Sequence, residues 1–388
     1  MAVSAIHTHQ IPLPGGTDPA VFTAVRHNSY QVHVTGSEPV AVQRLVAEIA
    51  GRRVALVTDD VVADLHAHRL VSQLRAAGLQ VQMTSFPAGE SSKSLDTAWS
   101  LLDWLAASSI QRRDVVLGFG GGVVIDTVGW VASAYMRGVP YINVPTTLLG
   151  AVDAALGGKV AVDHWCAKNL IGAFYQPKAV VTNVGYLTTL DRRQLAAGLA
   201  EVVKKGVIGS PELFCLVERS VDDLLAGDLA ALEQVVAAAS AVKCALVAGD
   251  PYEDDLCRPL NFGHTVGHAV ETVTGYGPVL HGEAVAYGMA VATEIATRRG
   301  LLDADVRRRL LALLRRMDLP TRLQDLRQPP KPAEVVEALQ CVRRIRDGCL
   351  RFVLPVGLGH TVIADDVEDA DVQQAMADTA GPAEPAGS

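Results

Sequence analysis

Apolar and polar positions change rhythm about half way along this chain. In the first half, short apolar runs alternate with stretches of helical spacing. "RRVALVTDD" (52–60) reads as a buried strand feeding a loop, "VADLHAHRLVSQLRAAG" (62–78) as a helix with a glycine stop, and "LQVQMTSFP" (79–87) as the next strand. "SLDTAWSLLDWLAASSI" (94–110) predicts another helix, "DVVLGFGGG" (114–122) a strand ending in glycines, and "YINVPTTLLG" (141–150) a further strand. Strands alternating with helices favour a parallel, doubly wound sheet. From about Leu187 the pattern turns mostly helical, as in "RRQLAAGLAEVVKKGVI" and "LAALEQVVAAASAVKCALVAG". The expected organisation is α/β plus α: a Rossmann-like domain over 1–187, a helical domain over 188–375, and a small, polar tail over 376–388 expected to be disordered. No internal repeat stands out.

Composition narrows the class. The chain has 388 residues, 49% hydrophobic and 20% charged, as in a well-packed globule. A formal charge of −8 without a basic run argues against nucleic acid as a partner, although local basic residues could bind a small phosphorylated molecule. Six scattered cysteines with no CxxC pair read as reduced thiols, which suits the cytoplasm. The first residues lack the pattern of a signal peptide, and apolar stretches are expected to be broken by charge or glycine before they reach membrane-spanning length.

Several segments could carry chemistry. In "GFGGGVVIDTVG" a strand hands over to a helix, and Gly120, Gly121 and Gly122 would let backbone approach a pyrophosphate at a helix N-terminus. A tight turn explains the glycines equally well, and the spacing is not GxGxxG. Asp59, Glu90, Lys93, Thr146 and Thr147 would supply polar groups along the same sheet edge, though each alone is ordinary loop chemistry. "VDAALGGKVAVDHWCAKNLIGAFYQP" (152–177) is too irregular for a simple helix. It sets Asp153, Lys159, Lys168 and Asn169 among glycines, and lysines beside glycines suit a phosphate; a solvated loop is the plain alternative. In "AAGLAEVVKKG", Glu201 and Lys204 share a helix face that is otherwise small and apolar, an uncomfortable place for a solvent-facing ion pair. In "LNFGHTVGHAVE", His264 and His268 lie one turn apart, and His281 opens the next helix. Two histidines and a carboxylate form a common zinc set. Spacing alone nominates His264 and His268 as the ligand pair.

Between about Gly118 and His281 the motifs "GGGVVID", "AYMRGVPYINVPTTLL", "VDAALGGK", "KNLIGAFYQP", "GLAEVVK" and "NFGHTVGHAVE…LHGEAV" together resemble the dehydroquinate synthase-like sugar phosphate cyclases. The resemblance implies an N-terminal NAD-binding domain, a helical metal-binding domain and an active site between them. It makes Glu201, His264 and His281 the ligands of a divalent metal, zinc or cobalt, which overrules the spacing-only pair. His268 would then contact a substrate phosphate. It implies that Lys159, Asn169, Asn261, Lys204 and Lys243 serve the substrate, and that Arg137 reaches the neighbouring subunit's site in a homodimer. Asp59, Glu90, Lys93, Gly121, Gly122, Asp126, Thr146, Thr147, Asp153 and Lys168 would touch NAD or line its site, and Asp153 is also a candidate substrate contact. The implied reaction is a transient NAD-dependent oxidation, phosphate elimination, reduction and intramolecular aldol closure.

The departures from the family pattern concern the substrate. Where dehydroquinate synthases carry an arginine for the substrate carboxylate, this chain has Cys257, with Arg258 displaced by one. His360 stands for a lysine, Val342, Arg343 and Arg344 for "DKK", and Asp163 for an asparagine. A pocket short of a guanidinium for a carboxylate favours a substrate without one, and sedoheptulose 7-phosphate fits. Arg258 and His360 stay candidate substrate contacts. With Asn261 and His268 both present, the pattern is most similar to the 2-epi-valiolone synthases. Competing readings are a dehydroquinate synthase or its amino variant, a metal-dependent alcohol dehydrogenase of the same fold, and a silent binding protein.

Overall fold

The computed structural model describes residues 28–165, 167–253, 259–345 and 350–380. Six parallel strands build the first half: β1 (Gln31–Thr35), β2 (Val54–Asp59), β3 (Val81–Phe86), β4 (Val115–Gly120), β5 (Tyr141–Pro145) and β8 (Ala179–Asn183). Their order across the sheet is β1-β8-β5-β4-β2-β3, so the chain reverses its winding between β2 and β4. In such sheets ligands gather at the carboxyl ends of the strands beside that switch point. Residues alternate faces along each strand. Val54 and Leu56 join one apolar layer with α1 (Glu38–Ile49) and α3 (His68–Ala76), the latter entered through α2 (Asp60–Val62) and a π turn. Ala55 and Val57 join the opposite layer with α4 (Leu95–Ala107) and α5 (Gly122–Ala134). Both faces are covered, which is why these strands read as continuous apolar runs.

The segment that looked irregular is an antiparallel hairpin, β6 (Lys159–His164) and β7 (Ala167–Phe174), packed on α5. Before it, a π-helical turn over Gly150–Ala154 projects Asp153 toward the helical half.

That half consists of α6 (Arg192–Gly209), α7 (Pro211–Leu225), α8 (Leu229–Ala248), α9 (His264–Val273), α10 (His281–Arg298), α11 (Ala304–Arg316), α12 (Pro332–Ile345) and α13 (Asp369–Ala380), with the hairpin β9 (Phe352–Gly357) and β10 (His360–Ala364) closing against α6 and α10. One apolar core runs through it. Two expectations are corrected here. The tail was expected to lose structure from residue 376, but α13 continues to Ala380 because Ala375 and Met376 are buried in the core; residues 381–388 lie outside those described. And α8 is long and apolar enough, by length and composition, to cross a membrane. Here it lays Leu232, Val235, Val236 and Ala239 into the core and turns Lys243 toward Asp153.

Two glycines set how closely the central helices pack. A Cβ on Gly282 would stand 1.9 Å from the Ala197 carbonyl oxygen of α6. One on Gly288 would stand 1.9 Å from the carbonyl oxygen of Gly263, at the start of α9. Only hydrogen fits at either point, so α10 lies backbone to backbone against both neighbours. That contact brings Glu201, His264 and His281, one from each helix, to a single place.

Candidate active site

Glu201 is fully buried in the middle of α6, and its two carboxylate oxygens have different surroundings. Oε2 accepts from Lys204 at 2.6 Å and lies 3.4 Å from Lys205. Oε1 has no hydrogen-bond partner and sits 3.7 Å from Nε2 of both His264 and His281. The outward ring nitrogens settle the tautomers: His264 Nδ1 is 3.1 Å from the Phe262 carbonyl and His281 Nδ1 is 3.2 Å from Glu271 Oε2. A nitrogen facing a carbonyl or carboxylate oxygen carries the proton, so in the neutral ring each Nε2 presents a lone pair. With both rings neutral, two lone pairs and an orphaned carboxylate oxygen converge on one point. In a tetrahedral zinc site, bonds of this kind separate adjacent donors by about 3.3 Å. The donor set therefore fits a divalent cation.

His268 lies one turn further along α9, exposed, with its ring 5.1 Å from that of His264 and 6.1 Å from that of His281. It shares a second cluster of potential donors with Glu271 and His281, but the pair nominated by spacing, His264 and His268, is not the pair facing Glu201. Burial pushes the Glu271 carboxyl up, yet the hydrogen bond from His281 and the nearby basic groups outweigh it and hold it at about 2. The same contact raises His281 against the effect of its burial. Burial drives His264 well below its ordinary range, which keeps it neutral.

Behind Glu201 lies a buried polar cluster. Lys243 donates to the Asp153 carboxylate at 2.8 Å and to its carbonyl at 2.6 Å, and Lys205 lies 3.3 Å from the same carboxylate oxygen. Burial pushes Lys204 and Lys243 down, against the pull of the carboxylates. Asp153 is held well below the usual range: burial would raise it, and the surrounding lysines, Lys243 foremost, overcome that. Asn261 ends a short 3-10 turn just ahead of His264.

The sheet edge contributes a second group. Lys93 donates to Asp126 and to the Asn169 side-chain oxygen. Burial lowers Lys93, but Asp126, with Glu90 and Asp163, more than restores it, so it stays charged. A lysine can only donate, so the Asn169 amide must turn its oxygen to Lys93 and its NH2 group away. Asp163 accepts from the Asn169 backbone N–H at 2.8 Å, at a residue whose φ is +54°. Gly121 caps α5 beside Thr147, and Thr146 donates its backbone N–H to Gly120. Asp59 caps α2, accepting from the Val62 N–H at 2.9 Å. Lys168 joins the halves: it is 2.8 Å from Glu90, 3.7 Å from Glu271, and over the Tyr276 ring. Lys159, on the exposed start of β6, is paired with Glu253.

One nominated residue stands apart. Arg137 sits in the turn after α5, and a helix of that length carries it roughly 20 Å from Gly122. His360 is exposed at the start of β10. Cys257 and Arg258 lie outside the described residues, as do the side chains of Val342, Arg343 and Arg344. Sequence reasoning missed Lys205 and Glu271 as site residues. Both were findable, since Lys205 follows Glu201 by one helical turn and Glu271 follows His268 by three residues.

Comparison with known proteins bears on this geometry. The family models described as 3-dehydroquinate synthase N-terminal and C-terminal match residues 83–197 and 198–343. A 2-epi-valiolone synthase from Actinosynnema mirum is 58% identical over 94% of this chain and 96% of its own length. A 3-dehydroquinate synthase from Desulforamulus reducens is 44% identical over 83% of this chain and 89% of its own. Among solved structures, a 2-epi-5-epi-valiolone synthase from Streptomyces hygroscopicus subsp. jinggangensis, with NAD+ and Zn2+ bound, superposes with a TM-score of 0.85 at 31% identity, covering 92% of this chain and 99% of that one.

Proposed function

Because the chain belongs to the 3-dehydroquinate synthase family of sugar phosphate cyclases, we propose that it converts sedoheptulose 7-phosphate to a valiolone-type cyclitol with release of phosphate, as a 2-epi-valiolone synthase. The carrying observation is the convergence of Glu201 Oε1 with the Nε2 atoms of His264 and His281, in a chain so similar to a 2-epi-valiolone synthase. NAD and a divalent metal are the cofactors, and zinc and cobalt both suit a carboxylate and two imidazoles. The reaction is a transient oxidation of a secondary hydroxyl, elimination of phosphate, reduction, and aldol closure, with no net redox change. Bound here, the metal supplies a Lewis acid toward a substrate oxygen and the nicotinamide a temporary hydride acceptor.

The chain's own groups do the rest in this reading. Glu201, His264 and His281 hold the metal; Glu271 and the Phe262 carbonyl keep both imidazoles in the ligating tautomer. Lys204 and Lys243, with Asp153 and Asn261, line the buried side and orient substrate hydroxyls. Burial lowers both lysines, which suits groups that pass protons. Asn169 offers its NH2 group, and with Lys159 and His268 it forms the phosphate end. Arg137 lies at the far end of α5 from the Gly121–Gly122 turn, and in this reading it completes the neighbouring site of a homodimer. Asp59, Glu90, Lys93, Gly121, Gly122, Asp126, Thr146, Thr147 and Lys168 border the dinucleotide at the switch point. Arg258 and His360 are further proposed substrate contacts, the latter on a strand that packs against the turn ending in Asn261. The free thiols of Cys215 and Cys244 agree with a cytoplasmic enzyme.

The test is to incubate the NAD-loaded protein with sedoheptulose 7-phosphate and, separately, with the carboxylated heptulosonate phosphate. Phosphate release from the first, without accumulating NADH, is the expected result. Release from the second alone would make the chain a dehydroquinate synthase. Steady NADH formation with a simple polyol would make it a dehydrogenase.

A further inference from the structure

Lys205 has no task in that scheme, yet its side chain is fully buried. Its ammonium lies 3.3 Å from Asp153 Oδ1, 3.3 Å from the Glu201 carbonyl oxygen and 3.4 Å from Glu201 Oε2. Both carboxylate oxygens already have a nearer cation. Lys243 is 2.8 Å from the Asp153 oxygen and Lys204 is 2.6 Å from the Glu201 oxygen. Withdrawing an ammonium from water is costly unless it is closely paired, and Lys205 is shared at long range between two groups that are already satisfied. Hydrogen bonding alone does not account for such a residue.

Its position supplies positive charge at the Glu201 oxygen that does not face the histidines. Two ammonium groups on Oε2 hold that oxygen back and draw electron density from the carboxylate, so Oε1 becomes a weaker donor toward a cation. Three ammonium groups face only two carboxylates in this cluster, which adds direct repulsion of a metal ion. A weakly neutralised ion keeps more of its pull on a substrate oxygen.

We propose that Lys205 is a positioning residue for the metal-binding carboxylate: it ties Glu201 to Asp153, restricts Glu201 to ligation through Oε1, and keeps the bound ion electrophilic at the expense of affinity. This rests on the metal site described above.

The sign of one measurement separates this role from a structural one. Zn2+ affinity of the full-length protein is measured by chelator competition for the wild type, Lys205→Met, Lys205→Gln and Lys205→Arg. The neutral variants are expected to bind Zn2+ about tenfold more tightly while kcat falls by tenfold or more with KM little changed. Lys205→Arg, which keeps the charge, is expected to return affinity to near the wild-type value. A packing defect would loosen the site and cannot tighten it. If neither neutral variant binds Zn2+ more tightly than the wild type, the proposal is overturned. The metal reading itself is checked in the same assay: if Glu201→Ala leaves wild-type Zn2+ binding intact, that reading fails, and its failure is distinct from an unchanged affinity in the Lys205 variants.

Discussion

The two halves of the molecule assemble polar groups in opposite ways. At the sheet edge, side chains come from a loop, the first turns of helices and the β6–β7 hairpin, and they meet mostly in pairs: Lys93 with Asp126 and Asn169, Lys168 with Glu90, Asp59 with the turn it caps. In the helical half, Glu201, Lys204, Lys205 and Lys243 lie on long buried helices and share partners, with Asp153 entering from a π turn. A strand end offers backbone N–H groups and helix N-termini ready-made, so fewer charges are buried there, with Lys93 against Asp126 the main case. A helix offers no free backbone in its middle, so chemistry built there requires buried charge and very close packing.

That contrast predicts unequal responses to added bulk. Gly282→Ala places a methyl group 1.9 Å from a backbone carbonyl, and α10 must move off α6 to accept it. Gly129→Ala in α5 meets Val160 Cγ1 at 2.2 Å, where a side chain can turn aside. Expected losses are about 3 kcal/mol or more for the first and about 1–2 kcal/mol for the second. Thermal melting checks the order, and Zn2+ titration is expected to collapse only for Gly282→Ala. Equal losses would mean that close helix contact is not what brings Glu201, His264 and His281 together.

Removing one lysine from each half sharpens the comparison. Lys93→Met leaves Asp126 without its cation and is expected to cost about 2 kcal/mol in denaturant unfolding. Lys205→Met leaves each carboxylate a second lysine, so its loss of stability is expected to be about 1 kcal/mol or less. A larger loss for Lys205→Met would show that its long contacts hold the fold.

The gentlest change is Glu271→Gln, which keeps shape and buries no new charge. Its expected effect on stability is small, but the amide holds the His281 tautomer less firmly, so Zn2+ affinity should drop by about 10–100-fold. Unaltered affinity would mean that packing alone orients His281.

Much of the fold was legible because hydrophobic periodicity is a local property. The apolar runs at β2 to β5 and the helical stretches at α4, α6 and α8 lie where the sequence pattern puts them. The hairpin β6–β7 was not recognised, since Gly157 and Gly158 stand directly before it, Gly172 interrupts β7, and every residue of β7 is half-buried or exposed. The end of α13 was hidden by the polar, proline-containing residues that follow it.

The sequence by itself determined the order of strands and helices, the residue types available for metal, phosphate and dinucleotide, and through its motifs the family. Spacing along the chain could not choose which histidine joins His264; the family resemblance pointed to His281, and the tertiary structure supplies the physical reason. Along one helix His268 is the natural partner, but the glycine contacts of α10 bring His281 to Glu201 instead, and Glu271 locks it there. Tertiary structure likewise turned Lys205 from one more polar residue on α6 into a buried cation shared by two carboxylates. The physical reason is the same in both cases: periodicity reports which face a residue occupies, while the distance between two faces depends on what their neighbours allow to approach.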